Sequence, residues 1–363
     1  MGFLFSQINE FICYYLCGMI DYMVVGLGLA GTAFCETLRR NNKSFVVFNN
    51  QSQTSSRVAG GLYNPIILKR FTLSWRADEQ LAVSVDFYKQ LEQFLNIQFD
   101  EKLNVLRKFA SIEEQNLWFE AADKKSLKPY LDTRLVSNNN SELKVPFEFG
   151  KVLETGKLDT KVLFDGYTKW LQQEKKIYLE TFDYNELKIL PNFVSYKGVK
   201  AKNVVFAEGF GMMQNPYFNY LPMQGSKGEY LVIEAKGLQE SNIIKSSIFL
   251  IPLGNDIYKV GATYHRDQKD NGTTEDAKEE LQRKLDSLLN CAYKIINQEA
   301  GVRPTVKDRR PLVGIHPKYN NLWVLNGFGS HGIMIAPWAS KALYERIETE
   351  VPILDEMDIA RFN

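Results

Sequence analysis

The sequence predicts an α/β fold: a Rossmann-like, dinucleotide-binding unit interrupted by a second unit, an α+β substrate domain built on an antiparallel sheet. Three observations carry this. The apolar run Asp21-Tyr-Met-Val-Val ends in Gly26-x-Gly28-x-x-Gly31 and passes directly into a helical pattern, the strand-turn-helix that binds a dinucleotide pyrophosphate. A second apolar run, Ser44-Phe-Val-Val-Phe48, follows that helix and completes a βαβ opening. Farther on, the apolar runs at 230–233, 248–251 and 257–260 are separated by turn residues, the texture of an antiparallel sheet.

In the opening, Gly26 allows the tight turn, Gly28 lets the backbone approach the pyrophosphate, and Gly31 lets helix and strand pack closely. The helix N-terminus then faces the anion. Asn49 stands eighteen residues after Gly31, where such folds place an acidic residue on the ribose hydroxyls. Asparagine still hydrogen-bonds to hydroxyls but lacks the charge that strengthens the bond.

After the second strand, a polar loop leads to Arg57-Val-Ala-Gly60-Gly61, which suits either close backbone approach to a ligand or tight packing. Residues 76–95 place Leu81, Val85, Tyr88, Leu91 and Leu95 on one face and predict a long amphipathic helix. Further helices are expected at 112–122, 158–171 and 274–289, the last opened by Thr274 and acidic residues. Two short strands are expected within 176–190 and another run at 202–207. The chain then closes with a strand at 322–325, the loop Asn326-Gly-Phe-Gly-Ser-His-Gly332, and a helix carrying Ala339, Leu343 and Ile347. The expected organisation is a discontinuous nucleotide domain over 21–75, 145–225 and 300–350, with a cap over 76–144 and 226–299.

At 363 residues the chain is long enough for two domains. Lys and Arg exceed Asp and Glu by one, so global charge points to neither a nucleic acid nor an acidic partner. The cysteines at 13, 17, 35 and 291 show no metal or disulfide spacing, and a reduced, cytoplasmic protein without a bound metal is expected. Residues 1–20 hold an apolar stretch far shorter than the roughly 20 residues of a membrane span, so no span is expected. They read as an arm or a start-site artefact, with a membrane-surface anchor as the lesser alternative.

The order of motifs resembles the flavin-dependent D-amino-acid oxidase superfamily, which includes glycine oxidase, sarcosine oxidase and the oxidase part of a bifunctional tRNA wobble-uridine modification enzyme. The resemblance covers roughly 21–347. It rests on Gly26-x-Gly28-x-x-Gly31, Ser55-Ser-Arg-Val-Ala-Gly-Gly61, and Phe206-Ala-Glu-Gly209 before Leu221-Pro-Met-Gln-Gly-Ser-Lys-Gly228. It rests equally on Val260-Gly-Ala-Thr-Tyr264, Gly301-Val-Arg303-Pro304 with Asp308 and Pro311, and Gly327-Phe-Gly-Ser-His-Gly332 before Ala336-Pro337. Gly-Ala-Thr-Tyr-His-Arg and Gly-Ser-His-Gly look most similar to the tRNA-modifying oxidase, whose methyltransferase part has no expected counterpart in the twenty residues before the first strand.

The resemblance implies FAD as cofactor, held in a glutathione-reductase-type domain. Implied FAD contacts are Gly26, Gly28, Ala30 and Gly31, then Asn49 and Asn50, and Ser56, Arg57, Ala59, Gly60 and Gly61. Gly209, Gly329, Ser330, His331, Gly332 and Ile333 complete the set. Hydride transfer from an amine needs orientation and electrostatics more than a protein base. Arg303 is the implied substrate-carboxylate clamp, because a guanidinium binds a carboxylate through two charge-assisted bonds; the other reading is an interdomain ion pair. Tyr264 either caps the substrate or packs, and His331 either touches flavin or substrate or has no role. His265 and His316 are expected to be exposed loop residues.

The expected activity is FAD-dependent oxidation of the C–N bond of an amino acid or N-substituted glycine, with electrons passed to oxygen or another acceptor. Two alternatives stand beside it. One acts on a carboxymethylaminomethyl group of a tRNA wobble uridine, with Lys307, Arg309, Arg310, His316 and Lys318 as a basic run that would admit RNA. The other is a flavin-binding relative without turnover.

Overall fold

A computed structural model describes residues 18–362. Its first sheet has eight strands. At the centre, β1 (Ile20–Val25) pairs in parallel with β2 (Phe45–Phe48) on one side and with Val199–Phe206 on the other. Parallel partners Ile177–Tyr178 and Leu322–Asn326 extend the sheet on either side, and Leu312–Ile315 adds antiparallel to the latter. Helices cover both faces of such a sheet, so its strands read as continuous apolar runs; all of β2 and all but one residue of β1 are buried.

The register sets the position of the site. Val25, Phe48 and Phe206 lie abreast, as do Tyr178 and Phe48, so the strands end along one edge. Gly26, Asn49, Glu180 and Ala207 therefore open together beyond the carboxyl ends, where α/β sheets bind their ligands.

Helix α1 (Leu29–Arg40) follows β1. Its last turn is tied by Glu36, fully buried, which binds Arg39 at 2.7 Å and Arg40 at 2.6 Å. The long helix Gly332–Thr349 packs beside it, and the amphipathic helix Ala77–Leu95 packs on Gly332–Thr349 in turn, where the buried Tyr88 hydroxyl donates to the Ile333 carbonyl at 2.9 Å.

The second sheet has seven strands, in the order Lys294–Arg303, Ser226–Glu234, Ile257–Gly261, Phe249–Gly254, Ile243–Lys245, Val105–Lys108 and Phe149–Val152. All pairs are antiparallel except Ile243–Lys245 with Val105–Lys108. Alternation divides its faces. Leu231, Ile233, Leu250, Tyr258 and Val260 form one core with Leu281 and Leu285 of helix Glu275–Asp286. The opposite face, with Tyr230, Phe249 and Ile251, turns toward the Gly60 segment, where a Cβ on Gly60 would meet Ile251 Cδ1 at 2.7 Å.

The expected helices at 76–95, 112–122, 158–171 and 274–289 appear as Ala77–Leu95, Ile112–Ala122, Thr160–Gln173 and Glu275–Asp286. Strand Lys294–Arg303 has no counterpart in the sequence reading. It lies at the sheet edge with one neighbour, so its first residues stay solvated and carry no apolar signal. Cys13 and the apolar segment around it lie outside the described residues, as does Cys17. Cys35 and Cys291 are unpaired thiols. Among the described residues no helix is long and apolar enough to cross a membrane.

Candidate functional site

A cleft of about 1260 Å³ runs from the carboxyl edge of the first sheet to the inner face of the second. At the nucleotide end it is lined by the glycine turn. Gly26 has φ +96°, and a Cβ there would lie 2.5 Å from the Ala207 carbonyl oxygen. Gly28 caps α1 without any side-chain hydrogen bond to the first turn. Ser56 reaches back, its hydroxyl accepting from the Leu29 amide at 3.3 Å. Ala30 also lines the cleft, whereas Gly31 does not; a Cβ on Gly31 would lie 2.0 Å from the Gly26 carbonyl oxygen.

Beyond β2, Asn49 and Asn50 line the cleft. The Asn49 side-chain Oδ1 accepts from the Gln51 backbone amide at 3.4 Å, and Asn50 Nδ2 donates to the Thr181 hydroxyl at 3.2 Å. The structure brings Glu180, Phe182 and Tyr184, none of them singled out in the sequence, to this end as well, together with Glu208 of the Phe206–Gly209 motif. Glu180 arrives because strand Ile177–Tyr178 pairs with β2, a two-residue element too short to show periodicity. Glu208 accepts from Asn215 Nδ2 at 2.7 Å and from the Tyr184 hydroxyl, and burial still pushes its carboxyl up to about 7.

The middle of the cleft is glycine-rich on both sides. Arg57, Ala59, Gly60 and Gly61 line one side, with Arg57 paired to Asp165 at 2.7 Å. Gly209 and the loop Gly329, Ser330, His331 and Gly332, with Ile333, line the other. Gly209 and Gly329 have φ +57° and +56°, and a Cβ on either would touch nothing, so both leave open space. His331 is the N-cap of Gly332–Thr349, and burial lowers its pKa, keeping the imidazole neutral near pH 7. The positive end of that helix dipole faces the cleft.

At the far end Arg303 closes strand Lys294–Arg303 and lies across Gly228, where a Cβ would come within 2.0 Å of Nη2. Its Nη1 donates to the Thr263 carbonyl at 3.3 Å, and its guanidinium sits 4.4 Å from the Tyr264 ring centroid. No carboxylate pairs with it among the described residues. Tyr264, 68% exposed, is therefore a platform for the arginine rather than core packing.

Two of the three histidines differ from expectation. His316 is 8% exposed and enclosed by Tyr217, Phe218, Tyr220 and Tyr319, because an aromatic segment from elsewhere in the chain folds over it. His265 is half-buried, with Nε2 3.8 Å from Glu280, because the segment around it bridges back to Lys227. Of the basic run, Lys307, Arg309 and Arg310 line the cleft, while His316 and Lys318 do not. Among the described residues no group of three His, Cys, Asp or Glu is arranged to hold a metal.

A family model described as FAD dependent oxidoreductase matches residues 21–346. The chain is similar to the tRNA 5-methylaminomethyl-2-thiouridine biosynthesis bifunctional protein MnmC of Legionella pneumophila, 27% identical over 220 residues, covering 48% of this chain and 30% of that protein. It is similar also to glycine oxidase of Pseudomonas aeruginosa, 24% identical over 162 residues, covering 43% of this chain and 44% of that protein. These matches thus span less than half the length of either relative. Among solved structures, glycine oxidase from Geobacillus kaustophilus superposes with TM-score 0.74 at 16% identity, covering 93% of this chain and 96% of the other, a likeness of fold.

Proposed function

The chain belongs to the FAD-dependent oxidoreductase family, and from that premise we propose that it oxidises the C–N bond of an amino acid or N-substituted glycine held by its carboxylate on Arg303. The nucleotide end of the cleft fits FAD, because the tight turn at Gly26, which any side chain would drive into the Ala207 carbonyl, sets the N-terminus of α1 at the cleft, where the Ser56 hydroxyl meets the Leu29 amide at 3.3 Å and the polar first turn faces an incoming pyrophosphate. In this reading Gly26, Gly28 and Ala30 take the pyrophosphate, and Gly31 keeps the turn against its helix. Asn49 and Asn50 take the ribose. Ser56, Arg57, Ala59, Gly60 and Gly61, with Gly209 and residues 329–333, surround the remainder.

FAD, when bound, supplies the two-electron acceptor for the hydride leaving the carbon beside the amine nitrogen. The protein supplies the rest. Arg303 carries the proposal: a guanidinium on the sheet wall, stacked on Tyr264 and without a carboxylate partner, is preorganised for an incoming carboxylate. The only carboxylates lining the cleft among the described residues, Glu180 and Glu208, lie at the nucleotide end, and His331 is neutral. The group that reacts is then the neutral amine, needing no protein base. The helix dipole behind His331 stabilises negative charge developing in the cleft.

The test is anaerobic reduction of the FAD-loaded protein by N-alkylglycines. Arg303→Gln should lower kcat/KM by about 100-fold or more while retaining the flavin spectrum. Reduction within twofold of the wild type would overturn the assignment.

A second reading is favoured by the cleft's cations. Lys69, Arg266, Lys307, Arg309 and Arg310 also line it, an arrangement that suits a polyanion. A tRNA carrying a carboxymethylaminomethyl wobble uridine would present the same glycine-like carboxylate to Arg303. Flavin reduction by such a tRNA, steeply weakened by salt, with none by small N-alkylglycines, would select it.

A further inference from the structure

The sheet wall of the cleft carries a second cation, well separated from Arg303. Lys245 ends strand Ile243–Lys245 and lines the cleft on the same face as Phe249 and Ile251, while Ile244 between points into the opposite core with Leu250. Its ammonium lies 4.5 Å from the Phe249 ring centroid. No hydrogen-bond acceptor or carboxylate meets it among the described residues.

Its charged neighbours do not help it. Burial, and after it Arg107 on the adjoining strand and Lys284 on helix Glu275–Asp286, push the Lys245 pKa down to about 8. Both neighbours are already matched: Arg107 binds Glu114 at 2.5 Å and the Ser246 carbonyl at 2.9 Å, and Lys284 pairs with Glu280. A desolvated ammonium facing like charges gains most from an anion on its open side, and that side is the cleft. A lysine that merely lays its stem on apolar surface instead carries its head to bulk water.

We propose that Lys245 reads a second anionic group on the substrate, a carboxylate or a phosphate, at the end of the molecule remote from the carboxylate held by Arg303. The pairing gives the span. Tyr230 faces Gly261 and Gly261 faces Phe249, so the arginine's place on Gly228 and the lysine's place over Phe249 are two strand spacings and two residues apart. That is on the order of 10 Å. Tyr230 and Ile251 line the cleft between the two cations, and Lys259, 5.5 Å from the Tyr230 ring, is neutralised by Glu299 at 2.7 Å and does not line the cleft, so the linking part of the substrate is neutral. The inference rests on the proposed amine oxidation and narrows it to N-substituted glycines whose substituent ends in an acidic group.

The test compares N-(carboxypentyl)glycine, whose carboxylates span this distance, with uncharged N-hexylglycine as reductants of the FAD-loaded enzyme. The wild type should prefer the dianion by about 10- to 100-fold in kcat/KM, chiefly through KM. Lys245→Met should bring the ratio close to one, and Lys245→Arg should restore most of it. The ratio is internal to each variant, so a loss of folded protein cancels. A preference that survives Lys245→Met, or that is absent from the wild type, overturns the proposal. If neither compound reduces the flavin, the amine-oxidation reading fails, and the lysine is judged by binding. A straight-chain dicarboxylate of the same span should bind the wild type at least tenfold tighter than Lys245→Met, and equal binding would overturn it. A matched phosphate in place of the distal carboxylate separates the two sources: tighter recognition that also depends on Lys245 assigns a phosphate.

Discussion

Gly228→Ala isolates the position of Arg303 without touching its charge. The added Cβ would lie 2.0 Å from Nη2 and 2.3 Å from Cζ and Nη1, against the 3.4–4 Å of an ordinary contact. The guanidinium must therefore withdraw by about 1.5 Å. The colliding atoms are the free end of a flexible side chain, and Gly228 does not have a left-handed φ, so the fold itself need not shift. What is lost is the bond to the Thr263 carbonyl and the stack on Tyr264, and with them the aim of the clamp. Losing one charge-assisted hydrogen bond to the substrate costs about 1.5–3 kcal/mol, or roughly 10- to 100-fold. Steady-state kcat/KM for an N-alkylglycine should fall by that factor, while bound FAD and the thermal unfolding midpoint stay at wild-type values. An unchanged kcat/KM in a variant that holds FAD would refute the reasoning.

Two further changes probe the nucleotide end. Gly31→Ala places a methyl 2.0 Å from the Gly26 carbonyl oxygen, a collision of backbone with backbone; FAD retention measured by flavin fluorescence on dilution should weaken at least tenfold, and wild-type retention would count against the turn as the pyrophosphate cradle. Glu208 has a carboxyl raised from 4.5 to about 7, so the stability it allows is full below about pH 4.5 and is lost as pH climbs through 7. Across that window this is about 2–3 kcal/mol for a group partly open to the cleft. Chemical denaturation of the protein without FAD should show this loss in the wild type and a flatter profile in Glu208→Gln; parallel profiles would show that another group titrates.

The glycine turn was legible in the sequence because its constraints are local. Gly26 and Gly31 are required by backbone a few residues away or at the end of the adjoining strand, while Gly28 faces the Ser56 hydroxyl. Arg303 was legible only through its motif, and its partners were not, since Gly228, Thr263 and Tyr264 reach it through strand pairing over a span of 75 residues. Glu180 and Tyr184 stayed hidden because a short strand expected within 176–190 does not show that it pairs with β2 and so delivers them to the cleft. The strand Ile243–Lys245 has only three residues and the run 248–251 is apolar throughout, so neither shows which face turns to the cleft, and Lys245 needed the sheet order to be seen. His316 was misread as exposed because what buries it lies a hundred residues earlier in the chain, at Tyr217 and Phe218.

The most direct measurement is the visible spectrum of the purified, FAD-loaded protein under anaerobic conditions, recorded on addition of an N-alkylglycine and of the same amine lacking its carboxylate. Carboxylate-directed amine oxidation predicts that the oxidised flavin bands bleach with the first compound and persist with the second. Equal bleaching by both would contradict the assignment of Arg303 as the group that selects and orients the substrate, and bleaching by neither would contradict the oxidation of a small N-alkylglycine.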